Sequence, residues 1–130
     1  MIILLDTNAL VWLLDDSSGE KFGTNAKEFL QSADTVYASA VNVLEIRIKS
    51  MLGKLKAPAT LVNDITAAGL NNLPFSEEHA DAINKFPNLA KQDPFDRMLL
   101  AQAQAERICL LTSDKQLVSL GLDFVLNARN

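Results

Sequence analysis

This 130-residue sequence contains one cysteine, one histidine and one tryptophan, and no apolar run approaches the ~20 residues that a membrane-spanning helix needs. A single cysteine excludes a disulfide framework, and Cys109 lies within the apolar run ICLLT, where a thiol is expected to be buried and unreactive. The scarcity of cysteine and histidine also excludes a structural zinc site. Met1 leads directly into IILLD, so we expect no signal peptide, no membrane partner and a cytoplasmic location.

Basic residues are also scarce relative to acidic ones. The formal net charge of −4 argues against a protein that coats nucleic acid through a broad basic surface. It leaves open an enzyme that meets a polyanion at one local site, because an acidic site filled by metal cations would itself lower the net charge. The length and the 48% of apolar residues predict a single globular domain over residues 1–130.

Short apolar segments predict strands that alternate with helices. The strand candidates are residues 2–5, 35–38 and 108–112, with weaker ones in LPF near Leu73 and FVL near Phe124. Continuous apolar runs are typical of parallel strands that are covered on both faces. Helical patterns occupy residues 8–14, 24–32, 41–52, 60–68, 77–85, 95–106 and 115–120. This alternation predicts an α/β fold with a mostly parallel sheet, in which ligand sites form beyond the carboxyl ends of the strands.

Two carboxylates follow predicted strands. Asp6 comes directly after IILL, and Asp114 comes two residues after ICLLT, so both should emerge at the carboxyl edge of the sheet. Each alone fits a helix N-cap, because a short side-chain oxygen there accepts a hydrogen bond from the first helical turn. Their presence at the same edge favours a site.

Glu45 is predicted to lie on a core-facing helix surface. The helix has an apolar stripe at helical spacing, formed by Val41, Leu44, Ile48 and Leu52. Glu45 falls on the same face, where desolvating an unpaired carboxylate costs several kcal/mol. One explanation is an ion pair with Lys49, one turn further on. We favour a functional role, because other carboxylates point at the same edge.

The stretch QDPFDR contains two aspartates with different expected roles. Asp93 fits an N-cap and Pro94 fits the first helical position. Asp96 is not needed for capping, and it lies in the first turn of a helix expected to be well buried. We therefore assign Asp93 to the cap and Asp96 to the chemistry.

Asp6, Glu45, Asp96 and Asp114 would form a cluster of like charges. Two carboxylates ~4 Å apart repel by about 4 kcal/mol at an effective dielectric near 20, so either some are protonated or a cation neutralises them. Oxygen ligands favour Mg²⁺, with Mn²⁺ also possible. A metal held this way can activate water and stabilise a phosphodiester transition state, which is nuclease chemistry.

Four motifs carry a resemblance to a known family: LLDTNAL, SAVNVLEIRIKSMLGKL, DPFDRMLLAQA and LLTSDKQL, in this order along almost the whole chain. In these motifs the chain resembles PIN-domain ribonucleases, and more narrowly the VapC-type toxins of toxin–antitoxin pairs. The resemblance implies a three-layer α/β/α sandwich, a Mg²⁺-dependent endoribonuclease that cleaves RNA, a cognate antitoxin and a homodimer.

Carried over by position, the resemblance implies that Asp6, Glu45, Asp96 and Asp114 are the catalytic and metal-binding set. Flanking residues that could position phosphate or metal-bound water are Thr7, Asn8, Thr112 and Ser113. Relatives with the DPFDR form often carry a histidine just before it, whereas PNLAKQ has none, so any such role is either unfilled or taken by Lys91 or Gln92.

Basic residues near the acidic motifs have two explanations. Lys49 and Lys54 either complement the dipole at the end of their helix or guide an RNA backbone toward the site. Arg97 either pairs with a carboxylate or contacts phosphate, and pairing is favoured. His79, in SEEH, is expected at the surface at a helix start.

Two other functions fit part of the pattern. A phosphatase could use Asp6 as a nucleophile, but it would need a second aspartate two residues later, where this chain has Asn8. A noncatalytic PIN-like domain could use the acidic cluster to bind a basic protein partner. Replacing Asp6 with asparagine would separate these possibilities from the nuclease.

Overall fold

The computed structural model describes residues 1–130, apart from the side chains of residues 16–18. The strands are β1 (Ile2–Leu5), β2 (Thr35–Ser39), β3 (Asn71–Leu73), β4 (Cys109–Thr112) and β5 (Val125–Asn127). The α-helices are α1 (Thr7–Leu14), α2 (Thr24–Ser32), α3 (Ala40–Met51), α4 (Leu61–Ala67), α5 (Glu77–Asp81), α6 (Pro94–Glu106) and α7 (Lys115–Val118). Short 3-10 segments cover Asp16–Lys21, Ala82–Lys85 and Pro87–Leu89.

The five strands form one sheet in the order β3-β2-β1-β4-β5, and every neighbouring pair is parallel. In the centre, Leu4 of β1 lies beside Tyr37 of β2 and Leu110 of β4. The predicted α/β fold with a parallel sheet is therefore confirmed. The apolar runs explain the arrangement, because each central strand is buried on both faces.

Helices cover both faces of the sheet and produce three layers. Ile3 and Leu5 point into one apolar cluster, with residues of α1, α2 and α4, whereas Leu4 and Leu110 point into the other, with residues of α6 and α7. Helix α3 contributes to both clusters, because Ile46 packs in the first and Val41 in the second. The α/β/α sandwich implied by the family resemblance is confirmed.

Some predicted boundaries differ from the observed ones. The helix predicted for residues 77–85 is an α-helical turn followed by the 3-10 segment Ala82–Lys85, and the last helix ends at Val118 instead of residue 120. Both weak strand candidates exist but are displaced, to Asn71–Leu73 and to Val125–Asn127. Within the described residues, no helix combines the length and the apolarity that crossing a bilayer demands.

The predicted buried stripe of α3 is only partly correct: Val41 is 3% exposed, as expected, but the rest of the stripe is not buried. Leu44, Ile48 and Leu52 are 50%, 37% and 62% exposed, whereas Glu45 is 4% exposed. The other buried side chains of this helix are Asn42 and Ile46, at 0% and 1% exposed. The helix therefore turns a partly polar face inward, which includes Glu45 as predicted, and leaves most of the predicted apolar stripe at its outer surface.

The expected surface position of His79 is also wrong, since its side chain is buried. Its Nδ1 accepts a hydrogen bond from the Ser76 amide at 2.9 Å, and its Nε2 lies 2.6 Å from Oε1 of Glu106. With Nδ1 acting as an acceptor, the imidazole proton belongs on Nε2, facing the carboxylate. His79 thus joins the start of α5 to the end of α6 and has a structural role.

Candidate active site

The carboxyl ends of β1 and β4 open into a pocket of about 150 Å³. Its lining contains five carboxylates, which are those of Asp6, Glu45, Asp93, Asp96 and Asp114. Two cations, Lys49 and Arg129, line the same pocket. The structure therefore brings together all four of the acidic residues singled out in the sequence, from segments as distant as β1 and α6.

Asp6 is the most rigidly held of these carboxylates. It is 3% exposed and caps α1, because its Oδ1 accepts a hydrogen bond from the Ala9 amide at 2.7 Å. Its Oδ2 accepts from the Thr112 hydroxyl at 2.7 Å and from the Ser113 amide at 2.8 Å. Burial nevertheless raises the pKa of Asp6 above its usual value, against the opposing effect of these donors. The position suits a fixed anionic ligand for a cation.

Glu45 belongs to a buried polar network. Its Oε1 accepts a hydrogen bond from the Thr7 hydroxyl at 2.6 Å, and that hydroxyl accepts from the Asn42 amide at 3.1 Å. Its Oε2 forms an ion pair with the Lys49 ammonium, so the predicted alternative of an ion pair is confirmed. This contact raises the pKa of Lys49. Glu45 is therefore paired and still lines the pocket.

Asn42 is a residue that the sequence analysis missed. Besides contacting Thr7, its side-chain amide donates to the Leu5 carbonyl at 3.2 Å, and its Oδ1 accepts from the Ser39 amide at 2.7 Å. These contacts fix the start of α3 against the end of β1. Its position one helical turn before Glu45, on the same face, was the available signal.

Asp96 and Asp114 are hydrogen-bonded to each other in the lining of the pocket. Asp114 caps α7, since its Oδ1 accepts from the Gln116 amide at 2.7 Å. Burial, a hydrogen bond to Asp114 and the negative charges of Asp114, Asp93 and Asp6 raise the pKa of Asp96 to about 8. Without a bound cation, Asp96 is therefore much harder to ionise than an ordinary aspartate.

The predicted role of Asp93 as the cap of α6 is confirmed, because its Oδ1 accepts from the Phe95 amide at 2.8 Å. The residue also lines the pocket and contributes to the negative charge there. The two aspartates of DPFD thus occupy different positions, with Asp93 at the exposed rim and Asp96 deeper.

The donor chemistry of the pocket fits a hard divalent cation. Its lining offers carboxylate and hydroxyl oxygens and no sulfur or imidazole. In the part of the chain described with side chains, no three acidic, histidine or cysteine residues form a ready-made metal cage. Lys49 already pairs with Glu45, and the raised pKa of Asp96 favours its protonated form. Cation binding would therefore compete with an ammonium and with a proton for the same oxygens.

The expected RNA contacts divide into two groups. Those that line the pocket are Thr7, Asn8, Lys49 and Ser113, with the Asn8 amide donating to the Ser113 hydroxyl at 3.2 Å. Thr112 lies behind Asp6 and is fully buried. Lys54 and Arg97 fall outside the pocket lining. Arg97 was expected to form an ion pair, yet among the described residues its Nε has no hydrogen-bond partner.

Arg129 is the second residue that the sequence analysis missed. It follows β5, one of the two weakest strand predictions, so nothing in the local pattern connected it with the acidic motifs. In the structure it lines the acidic pocket, where its Nε donates to the Ser113 carbonyl at 3.5 Å. Lys91 and Gln92, the suggested substitutes for a histidine before Asp93, do not line it.

Comparisons with known proteins agree with this geometry. A family model described as "PIN domain" matches residues 3–121. The fold resembles VapBC2 from Rickettsia felis bound to a DNA fragment from their promoter, with a TM-score of 0.67, 18% identity and coverage of 98% of both chains. A toxin–antitoxin complex from Klebsiella pneumoniae gives a TM-score of 0.63 at 21% identity, covering 97% of both chains.

FitAcB from Neisseria gonorrhoeae also shares the fold, with a TM-score of 0.64, 23% identity and coverage of 97% of both chains. No curated protein matches the chain in sequence. At these identities the structural likeness shows a common fold.

Proposed function

The chain belongs to the PIN-domain family, and we propose that it is a Mg²⁺-dependent endoribonuclease that acts as the toxin of a toxin–antitoxin pair. The observation that carries the proposal is the convergence of Asp6, Glu45, Asp96 and Asp114 on one pocket. Burial, together with the neighbouring carboxylates, raises the pKa of Asp96 to about 8. A divalent cation would neutralise these carboxylates, and structural relatives described as toxin–antitoxin complexes support the biological role.

The four carboxylates would hold Mg²⁺, or Mn²⁺, either directly or through water. Bound there, such an ion supplies activation of the attacking water and neutralisation of charge on the phosphodiester. Asp6 is already fixed by its hydrogen bonds, so it needs little reorganisation. Asn8 and Ser113 offer an amide and a hydroxyl that can orient a phosphate. Asp96, once deprotonated, can accept a proton from the attacking water.

The structure argues against the phosphatase alternative. Both Asp6 oxygens accept hydrogen bonds, which fix the orientation of the carboxylate as suits a metal ligand, whereas a nucleophile must be free to move toward the phosphorus that it attacks. A noncatalytic domain that binds a basic partner fits the acidic pocket as well as a nuclease does. Activity toward RNA separates these two functions.

The direct test is cleavage of a mixed RNA pool by the purified protein, with and without Mg²⁺, followed by mapping of the cut ends. We expect a defined set of internal cuts that appear with Mg²⁺ or Mn²⁺ and disappear in EDTA. Intact RNA under all these conditions would favour the noncatalytic function. Light scattering on the same preparation tests the proposed homodimer.

We propose that the antitoxin covers the exposed apolar side chains of α3, which are Leu44, Ile48, Met51 and Leu52. Exposed apolar surface of this kind on a helix is typical of a protein interface. The same helix carries Glu45 and Lys49 into the acidic pocket, so a partner on this stripe lies beside the site that it must inhibit.

Replacing Met51, which is 85% exposed, with glutamate should weaken binding of the antitoxin about tenfold or more, because a charge would enter an apolar contact. The partner to test is the protein encoded by a small reading frame adjacent to the gene. Its affinity for the wild-type and variant chains is measured by calorimetry. Leu120→Glu, at an exposed apolar residue away from α3, is the matched control and should bind normally. Met51→Glu could instead leave antitoxin binding intact and convert the toxin alone from a dimer to a monomer in solution. In that case the stripe is a dimer interface.

Replacing Lys49 with glutamine should strengthen binding of Mn²⁺ about tenfold. The ammonium occupies a Glu45 oxygen, and a unit charge ~5 Å from a divalent ion repels it by about 1.7 kcal/mol even at the dielectric of water. Cleavage should fall in the same variant, because a cation that can contact phosphate is lost. Calorimetric titration with Mn²⁺ gives the affinity, and Lys56→Gln, at an exposed lysine outside the pocket, is the control. Unchanged affinity would show that Lys49 does not compete with the metal.

A further inference from the structure

We propose that Arg129 is a substrate-binding residue of the acidic pocket, where its guanidinium takes a backbone phosphate of single-stranded RNA. This inference rests on the proposed ribonuclease function and adds a residue that no family motif of the sequence contains. The pocket has two cations in its lining, Lys49 and Arg129, and among the described side chains only Lys49 pairs with a carboxylate.

The two cations flank Asp6 from opposite sides. Lys49 belongs to α3, which follows β2, whereas Arg129 contacts Ser113, which follows β4. Because β1 lies between β2 and β4 in the sheet, Asp6 lies between the two cations. An RNA strand that crosses the pocket would therefore meet a positive side chain on either side of the acidic centre.

The guanidinium of Arg129 is held over an aromatic ring. Its Cζ lies 5.1 Å from the centroid of the Trp12 ring, at a cation–π distance. The single hydrogen bond that it makes with the described residues runs from Nε to the Ser113 carbonyl, at 3.5 Å. A guanidinium carries five N–H donors, so most of them remain to bind a phosphate, which it can contact through two donors at once.

The backbone around Arg129 is fixed, so the side chain is positioned before any substrate arrives. The Ala128 amide donates to the Thr112 carbonyl at 2.8 Å, and the Gly23 amide donates to the Ala128 carbonyl at 3.0 Å. A Cβ on Gly23 would lie 2.1 Å from the carbonyl carbon of Asn130, an approach that only glycine allows. A preorganised cation loses little freedom on binding, which favours affinity.

Electrostatics also favour this role. The protein carries a net charge of −4, and the pocket lining has five carboxylates, so RNA phosphate is repelled unless local cations offset them. Among the described residues Arg129 forms no ion pair, although acidic side chains share its pocket. The alternative role is packing on Trp12, a ring that Lys21 also approaches, at 5.9 Å.

The test is binding of a 5′-labelled single-stranded RNA of mixed sequence, measured by fluorescence anisotropy in EDTA over a range of salt concentrations. We expect Arg129→Gln to raise the Kd about tenfold and to reduce the slope of log Kd against log salt by roughly one. Arg129→Lys should retain the slope and recover part of the affinity. Arg107→Gln removes an equal charge before β4, at the opposite edge of the sheet, and should bind like the wild type.

Trp12 offers a second readout, because it is the only tryptophan of the chain. RNA should change its emission in the wild-type protein, and Arg129→Gln should diminish that change. Equal Kd and equal salt slope in Arg129→Gln would overturn the inference, and a lowered Tm without a change of slope would assign Arg129 to packing alone. If the wild-type protein itself neither binds nor cleaves RNA, the proposed function fails together with the inference.

Discussion

Asp6→Asn is expected to abolish RNA cleavage while the protein remains folded. Asp6 lies at the centre of the pocket, between the residues that follow β2 and those that follow β4. Substitutions of residues that only orient metal ligands typically cost 10–100-fold, so replacing a proposed ligand should lower the rate by roughly a hundredfold or more. Growth arrest on expression should disappear with the activity.

The structural cost of this substitution should be small. Asparagine has one acceptor oxygen, and it can accept from Ala9 or from Ser113 but not from both. One backbone amide then faces an NH₂ group, which costs about 1–3 kcal/mol. Removing the charge acts in the opposite direction, because burial raises the pKa of Asp6 and so disfavours its ionised form. Tm and circular dichroism should therefore stay close to those of the wild type.

The matched control is Asp123→Asn, which removes an exposed carboxylate before β5, at the opposite edge of the sheet. It should cleave RNA at the wild-type rate. Rates for all three proteins on one labelled RNA in Mg²⁺ provide the comparison. Cleavage by Asp6→Asn at the wild-type rate would exclude the proposed mechanism.

The sequence predicted the sheet well because its central strands are short apolar runs followed at once by helices. Asp6 and Asp114 could be placed at one edge on that basis alone, since the carboxyl ends of parallel strands meet there. The inward face of α3 was predicted only in part. Glu45 is buried there as expected, but most of the predicted apolar stripe is exposed, whereas Asn42 is fully buried, and hydrophobic periodicity does not detect a buried polar side chain.

Arg129 could not be predicted from local pattern at all. Its position depends on β5 pairing with β4, and on a backbone approach that only the glycine at position 23 permits. Asn42 is similar, because its contacts reach Leu5 and Thr7, which are 37 and 35 residues away in sequence. The role of Arg129 arises from tertiary contacts that leave no trace in spacing, and that of Asn42 leaves only its position one turn before Glu45. Asp6 and Asp114, in contrast, follow predicted strands, and Asp96 begins a predicted helix.

Asp96→Asn is expected to abolish cleavage and at the same time to stabilise the cation-free protein at alkaline pH. The pKa of Asp96 is about 8 in the folded chain against 3.8 for an unperturbed aspartate. Between these values the folded state binds more protons than the unfolded state, so the free energy of unfolding falls as pH rises. Asparagine cannot ionise and avoids that loss, so the variant should gain over the wild type progressively from about pH 4 to pH 8.

The measurement is thermal unfolding in EDTA from pH 5 to pH 8.5. Because Asp96 is only partly buried, solvent screening reduces the gain to about 2 kcal/mol, or roughly 5–10 °C in Tm at pH 8. The difference should shrink toward pH 5 and also when Mg²⁺ is added, since cation binding stabilises the wild type specifically. Asp123→Asn should show no such trend. If Asp96→Asn were less stable than the wild type at pH 8, neighbouring groups of the protein would have to stabilise the ionised Asp96 carboxylate. The argument that this pocket requires a cation would then fail.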